Sequence, residues 1–300
     1  MFSSILIHLI SFFIFSNNIW SQIDWSDFNQ GEIIKMEDSQ YFSVRMSNIK
    51  YPEVSASSFV VLDLVNNYFV LEKNPDEVWP IASISKLMSA LVLLDELDID
   101  LDAYYQIRSE DRRVGGRDYL FIGDEVTNRD LLALALIASD NSAISALVSS
   151  AGLNEDEFAV LMNKKARQMG MENTSFKDAS GLSSKNVSTA REVSLLIKEA
   201  FAHEIIADFA NKYEYQIITK QGRVKKIVST NQLLNYNNNY IKIIGGKTGY
   251  NDSSGYCLGL KFLFNNNQEL ISVVLNSATL KSRFSDTQKI FEDLYGIYNN

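Results

Sequence analysis

The feature that most restricts the fold is how far apart the strand-like segments lie. Apolar, β-branched runs occur near both ends, at Phe59 to Leu64 and Tyr68 to Leu71 and again at Cys257 to Phe264 and Glu269 to Asn276. The first pair flanks Val65-Asn66-Asn67, a hairpin signal, and the second flanks an Asn-rich turn. Between them the pattern is helical. An apolar helix runs through Leu87, Leu91, Leu93 and Leu94, Thr127 starts a helix over Asp130 to Ala138, and another covers Ala143 to Val148. Asn154 opens a helix whose first turn holds Glu155, Asp156 and Glu157, where the dipole favours anions, and Gly170 closes it. Thr189-Ala190-Arg191-Glu192 reads as a capping box for a helix through Ala200. Strand patterns return at Tyr213 to Thr219 and Arg223 to Val228, and at Ile241 to Ile244 before a glycine pair. A last amphipathic helix passes through Ile290, Phe291 and Leu294. Strands at both ends with helices inserted predict an α+β fold, one sheet assembled from distant segments with a helical lobe beside it.

Composition narrows the chemistry. The chain has 300 residues, 46% hydrophobic and 22% charged, enough for one large domain or two lobes. A formal charge of -9 argues against a nucleic-acid surface, which needs clustered Lys and Arg. Cys257 is the only cysteine, so no intramolecular disulfide and no multi-cysteine zinc site is expected. Of the two histidines, His8 lies in the N-terminal leader, and His203-Glu204-Ile205-Ile206-Ala207 lacks a second metal ligand. His203 reads as a helix-surface residue rather than the base of a serine triad. No metal and no other cofactor are expected.

The leader, Met1 to Trp20, carries an apolar run from Ile5 to Phe15, the length of a signal-peptide core and short for a membrane span. The expected plan is a signal peptide over 1–21, a polar, irregular segment over 22–57 containing Pro52 that reads as a lead-in strand or linker, and the main domain over 58–297. No Lys or Arg precedes the run. The alternative is an uncleaved N-terminus that associates with the membrane. Either way the body is expected in the cell envelope, periplasmic or extracellular.

Three short motifs occur in order: Ser83-Ile84-Ser85-Lys86, Ser139-Asp140-Asn141 and Lys247-Thr248-Gly249. Alone, the first two are weak. S-x-x-K recurs at Ser47 to Lys50, and S-x-N starts at Ser16, Ser139, Ser184 and Ser229. Context discriminates, because Ser83 follows a loop and opens an apolar helix. Residues three apart share a helix face, so the Lys86 amine can reach the Ser83 hydroxyl. With no eligible histidine, Lys86 is the candidate base, provided burial and a second cation, Lys247, lower its pKa. Ser139 is placed to relay a proton to the leaving amine. The Asn141 amide would hold Lys86 and the substrate backbone, and Asp140 would face away or cap locally. Lys247 and Thr248 can bind a peptide's terminal carboxylate, and Gly249 leaves bare backbone beside which a substrate strand can lie.

The three motifs together are the signature set of penicillin-binding proteins and class A β-lactamases. The chain resembles the low-molecular-mass penicillin-binding proteins, D-alanyl-D-alanine carboxypeptidases and D,D-endopeptidases, over about Ser58 to Tyr295. Pro80-Ile81-Ala82-Ser83-Ile84-Ser85-Lys86-Leu87-Met88 is similar to the family's nucleophile helix. Gly181-Leu182-Ser183, continuing to Asn186-Val187-Ser188-Thr189-Ala190-Arg191-Glu192, is similar to its mid-domain loop. Gly246-Lys247-Thr248-Gly249-Tyr250, leading into Ser254-Gly255-Tyr256-Cys257-Leu258, resembles its third-motif strand.

The resemblance implies a β-lactamase/transpeptidase-like fold, mainly antiparallel sheet flanked by helices with an all-helical lobe and the active site between. It implies a serine D,D-peptidase acting on peptidoglycan stem peptides through an acyl-enzyme on Ser83, and so a part in cell-wall biogenesis and cell shape. β-Lactam antibiotics would be covalent inhibitors. The backbone N–H groups of Ser83 and Tyr250 would form an oxyanion hole, and Arg283 would help bind the terminal carboxylate. The chain reaches Asn300 without the C-terminal β-rich domain of many carboxypeptidases, so the expectation leans to the compact endopeptidase branch; cleavage of a pentapeptide end or of a cross-link stays open. The Glu-x-x-Leu-Asn segment of class A β-lactamases is absent, which disfavours β-lactamase or esterase action on the same scaffold. Complete motifs disfavour a non-catalytic scaffold.

Overall fold

In the computed structural model, residues 31–35, 42–46, 52–116, 119–236, 238–265 and 267–299 are described. The leader and the second S-x-x-K, Ser47 to Lys50, lie outside them. The strands are β1 (Gly31–Lys35), β2 (Phe42–Met46), β3 (Ser58–Asp63), β4 (Tyr68–Lys73), β5 (Trp79–Pro80), β6 (Tyr104–Gln106), β7 (Glu125–Thr127), β8 (Val187–Ser188), β9 (Glu214–Ile218), β10 (Val224–Val228), β11 (Ile241–Asn251), β12 (Gly255–Phe264) and β13 (Gln268–Ser277). The helices are α1 (Ser85–Leu91), α2 (Asn128–Ile137), α3 (Asn141–Ser150), α4 (Glu155–Gln168), α5 (Ala190–Ala200), α6 (Glu204–Asn211) and α7 (Ser282–Asn299).

The main sheet has the order β1-β2-β4-β3-β13-β12-β11. The run β4-β3-β13-β12-β11 is antiparallel throughout, and β2 lies parallel to β4. The distant segments therefore meet as their patterns predict, with β3 from the first third of the chain pairing β13 from the last. The lead-in is more regular than its polarity suggests, since β1 and β2 form an antiparallel pair within it. Its short alternation Phe42-Ser43-Val44-Arg45-Met46 carries the period of two that the surrounding polar residues obscure.

Both faces of the sheet are covered, which explains why β3 is a continuous apolar run rather than an alternating one. Val60 and Leu62 join one core with α1, α2, α3 and α5, while Phe59 and Val61 join a second core with Phe284, Ile290, Phe291 and Leu294 of α7. On β12, Leu258, Leu260, Phe262 and Phe264 face α7. Gly259 faces the other way, where a Cβ would lie 2.3 Å from Ile197 Cδ1 of α5.

Helix starts follow the capping chemistry. The Thr127, Asp140 and Asn154 side chains accept the N–H groups of Asp130, Ala143 and Glu157. At α5 only half of the expected box forms. Thr189 accepts the Glu192 N–H, but the Glu192 carboxylate turns away to Asn173 N, Asn173 Nδ2 and Thr174 Oγ1, three tertiary donors that outcompete one local N–H.

Candidate active site

The nucleophile segment is held before its helix begins. β5 pairs with β8, and Ile81 N donates to Asn186 O at 3.0 Å. Ala82 then takes φ 45°, a left-handed conformation that strains a residue with a Cβ. Ser85 Oγ donates back to Ala82 O at 2.7 Å, and Asn186 Nδ2 donates to Ser85 Oγ at 3.0 Å. These bonds aim the half-buried Ser83 from the 3₁₀ turn Ala82–Ile84 that runs directly into α1.

One turn on, Lys86 is fully buried. Its Nζ lies 2.9 Å from Ser83 Oγ, 2.7 Å from Asn141 Oδ1 and 2.7 Å from Ser180 O. Burial lowers its pKa from 10.5 to about 7, against the opposing pull of the Asp140 and Asp178 carboxylates. Of the two expected causes, burial and a second cation, only burial lowers it, and the part expected of Lys247 needs correcting. The repulsion between the two amines weighs on Lys247 instead. Lys247, itself buried, is held well below the usual lysine range by burial, then by Lys86, then by Arg283.

Ser139 sits between α2 and α3 at φ 61°, a second strained residue in the site. Its Oγ accepts from Lys247 Nζ at 2.7 Å, and Lys247 also donates to Thr248 O at 3.1 Å. Asn141 opens α3, and its Nδ2 donates to Val114 O and Gly115 O at 3.3 Å each. Asp140 caps α3, as expected. Thr248 Oγ1 lies 2.6 Å from Thr230 Oγ1.

Gly249 also has a use within the fold. A Cβ there would lie 2.6 Å from Ile81 O, so the glycine lets β11 approach the nucleophile segment. Tyr250 projects outward and stacks on Tyr256 at 4.3 Å between centroids. Arg283 is buried, donates to Gly249 O at 3.1 Å and lies against the rings of Phe284 and Tyr256. Burial lowers its pKa to about 10. Ser83, Lys86, Ser139, Asn141, Lys247 and Thr248 thus come together in one site, with Arg283 bonded to the main chain of the strand that carries Lys247, Thr248 and Gly249. His203 belongs elsewhere: it precedes α6, and its Nε2 lies 3.8 Å from Asp95.

Two contributors escape the motifs. The Ser180 carbonyl on Lys86 is backbone, and backbone has no residue signature. Thr230 belongs to Ser229-Thr230-Asn231, an S-x-N occurrence that reads as coincidence by spacing. Among the described residues no cluster of three or more His, Cys, Asp or Glu could hold a metal ion.

Comparison with known proteins agrees with this geometry. Residues 45–279 match the family described as D-alanyl-D-alanine carboxypeptidase. The chain is 31% identical over 241 residues to the D-alanyl-D-alanine endopeptidase of Escherichia coli, covering 80% of this chain and 77% of that one. It is 30% identical over 248 residues to the D-alanyl-D-alanine carboxypeptidase DacF of Bacillus subtilis, covering 81% and 63%. Penicillin-binding protein D2 from Listeria monocytogenes, solved in an ampicillin-bound form, superposes with a TM-score of 0.70 at 30% identity, covering 80% of this chain and 98% of that one. A mutant form of the Streptomyces K15 DD-transpeptidase gives a TM-score of 0.74 at 25% identity over 82% and 99%. The fold is the β-lactamase/transpeptidase one, and the chain belongs to the D-alanyl-D-alanine carboxypeptidase family of serine peptidases.

Proposed function

We propose that the protein is a D,D-peptidase that cleaves D-alanyl-D-alanine-type bonds of peptidoglycan stem peptides through an acyl-enzyme on Ser83. The observation that carries this reading is the environment of Lys86 Nζ. A neutral amine has two N–H donors and one lone pair. Asn141 Oδ1 and the Ser180 carbonyl accept only, so they take the two donors. The lone pair is left for the Ser83 hydroxyl at 2.9 Å. A pKa near 7 makes that neutral form accessible.

In this reading Ser83 Oγ attacks the penultimate D-alanine carbonyl as its proton passes to Lys86 Nζ. The tetrahedral intermediate collapses, and the leaving amine takes a proton through Ser139 Oγ, which Lys247 holds in place. Water then releases the acyl group by the reverse route. Thr248 and Lys247 would anchor the terminal carboxylate with help from Arg283, which also bonds the main chain of their strand at Gly249. The relatives' printed activities include both carboxypeptidase and endopeptidase. Released free D-alanine would mark the first and cleaved cross-linked dimers the second, so digestion of purified sacculi separates them. Such a substrate puts the working protein in the cell envelope, in keeping with the apolar leader.

The test is covalent. Benzylpenicillin presents an acylating carbonyl and a carboxylate, so intact-mass spectrometry should show one adduct mapping to the Ser83 peptide. An adduct that persists in Ser83→Ala, or that maps to Ser47, would refute the assignment.

A further inference from the structure

The loop that supplies the Ser180 carbonyl is built around one carboxylate. Asp178 Oδ1 accepts from Ser180 N at 2.8 Å, Ser180 Oγ at 2.7 Å, Gly181 N at 2.7 Å and Leu182 N at 3.3 Å. Its Oδ2 accepts from Ser183 N at 2.7 Å. All of these donors are neutral. Burial alone would raise the pKa of this acid, but the Ser180 hydroxyl and the N–H groups of Ser183, Gly181 and Ser180 outweigh it and hold the group ionised.

The loop so formed touches the catalytic apparatus at three points. The Ser180 carbonyl accepts from Lys86 Nζ at 2.7 Å. Gly181, at φ 85°, packs so closely that a Cβ would lie 2.0 Å from Ala82 O, beside the nucleophile. The Gly181 carbonyl accepts from Asn251 Nδ2, at the end of β11, at 3.3 Å. Charged side chains from four segments act on the two buried amines, the carboxylates Asp140 and Asp178 on Lys86, and Lys86 and Arg283 on Lys247. Asp140 comes from the turn before α3, Asp178 from this loop, Lys86 from α1 and Arg283 from α7. Asp140 is engaged in capping α3, and Lys247 in holding Ser139.

We propose that Asp178 is a positioning residue for acylation: it folds residues 180–183 so that the Ser180 carbonyl meets Lys86, and its negative charge stabilises the ammonium that Lys86 becomes. The step balances within the site. Ser83 loses its proton as Oγ forms the acyl bond, Lys86 gains that proton, and the fixed carboxylate offsets the new positive charge across Ser180 without taking the proton itself. The proposal rests on Lys86 acting as the base.

Three variants separate charge from position, each followed by the second-order rate of benzylpenicillin adduct formation against pH, with circular dichroism as a check on folding. Asp178→Asn keeps an oxygen for the four Oδ1 donors and loses the charge and the Ser183 bond. Its rising limb should move to lower pH, because removing an anion favours neutral Lys86, and its plateau should fall, because a less basic Lys86 takes the Ser83 proton less readily. Asp178→Glu keeps the charge but misplaces the carboxylate, so the limb should stay and the plateau fall. Asp178→Ala should lose about tenfold or more at the plateau. A folded Asp178→Asn with an unmoved limb overturns the electrostatic half. Should Asp178→Asn not fold, a wild-type plateau in Asp178→Glu overturns the positional half. Failure of the underlying reading looks different: wild type then forms no adduct, or shows no limb near neutrality.

Discussion

Lys86 carries the tension of this site in a single side chain. An amine with no solvent exposure resists charging, yet its three contacts serve both forms: the ammonium donates to all three, and the neutral amine donates to two and accepts from Ser83. With a pKa of about 7, the fraction able to act as base falls roughly tenfold per unit below that value. Acylation by benzylpenicillin should therefore rise with pH to a plateau above about 7, and a flat profile between pH 5 and 9 would exclude Lys86 as the titrating base. Stability moves in the same direction on this group. Its folded pKa lies below the unfolded 10.5, so its contribution is complete above 10.5 and is lost as pH falls toward 7. Arginine cannot stand in, since it stays protonated and only donates. Lys86→Arg should fold yet lose about 10²–10⁴ in adduct-formation rate, measured under pseudo-first-order conditions; rates within a few-fold of wild type would exclude the lysine as base. The Ser83–Lys86 pair was legible because its geometry is local, three residues along one helix. The depression of Lys86 was legible in direction only, because burial arises from packing that no short motif records. Arg283 shows the same limit. Its place near the third motif could be named, but its bond to the Gly249 carbonyl depends on how the start of α7 sits against the sheet.

At the scale of elements, the site depends on close approaches between segments with little freedom to move apart. The loop at Gly181 is the tightest, with a missing Cβ 2.0 Å from the Ala82 carbonyl and a φ of 85°. Gly181→Ala meets both penalties at once, a left-handed backbone and contact with rigid main chain. It should destabilise the fold by about 1–3 kcal/mol and slow acylation further, because relief of the clash displaces Ala82 and with it Ser83. Thermal melts and adduct rates on the same preparation check both; an unaltered rate would mean the loop can yield without moving the nucleophile. Such approaches were partly readable. Gly181-Leu182 stood out by resemblance, whereas the reason for the glycine needed a partner almost a hundred residues away. Helix starts were more transparent, since Thr127, Asp140 and Asn154 act on donors within their own first turns. The capping box at Thr189 failed for the opposite reason, because Glu192 found better partners in another segment. Strands β1 and β2 were hidden in a polar lead-in, where five-residue alternations carry too little signal.

For the molecule as a whole, the site lies where the sheet meets the helices, and hydrogen bonds join the two sides. β11 brings Lys247 and Thr248 from the sheet, while α2 and α3 bring Ser139 and Asn141 from the helical lobe. Thr230 N donates to Ile137 O at 3.1 Å, tying the end of the β9–β10 hairpin to the turn that presents Ser139. The sheet that supports this arrangement is closed by bonds of its own. Asp286 of α7 accepts from Ser55 N at 3.0 Å, Ser55 Oγ at 2.7 Å, Ala56 N at 3.0 Å and Ser277 Oγ at 2.9 Å. One buried carboxylate thus fastens the segment entering β3 to the end of β13 and to the last helix. Sequence reading began the main domain at 58, after the residues this latch holds, because Ser55 and Ala56 carry no pattern of their own. Asp286→Ala leaves four donors short of an acceptor in a site with little room for water. The cost should be about 2–4 kcal/mol, lowering Tm by several degrees. No atom of the latch touches Ser83, Lys86 or Lys247. At a temperature where the variant remains folded, its penicillin adduct rate should match wild type within about twofold. Paired melting curves and adduct rates decide the matter. A lower Tm with an unchanged rate assigns Asp286 to the scaffold alone, whereas a rate that falls with it means that this closure of the sheet governs the site.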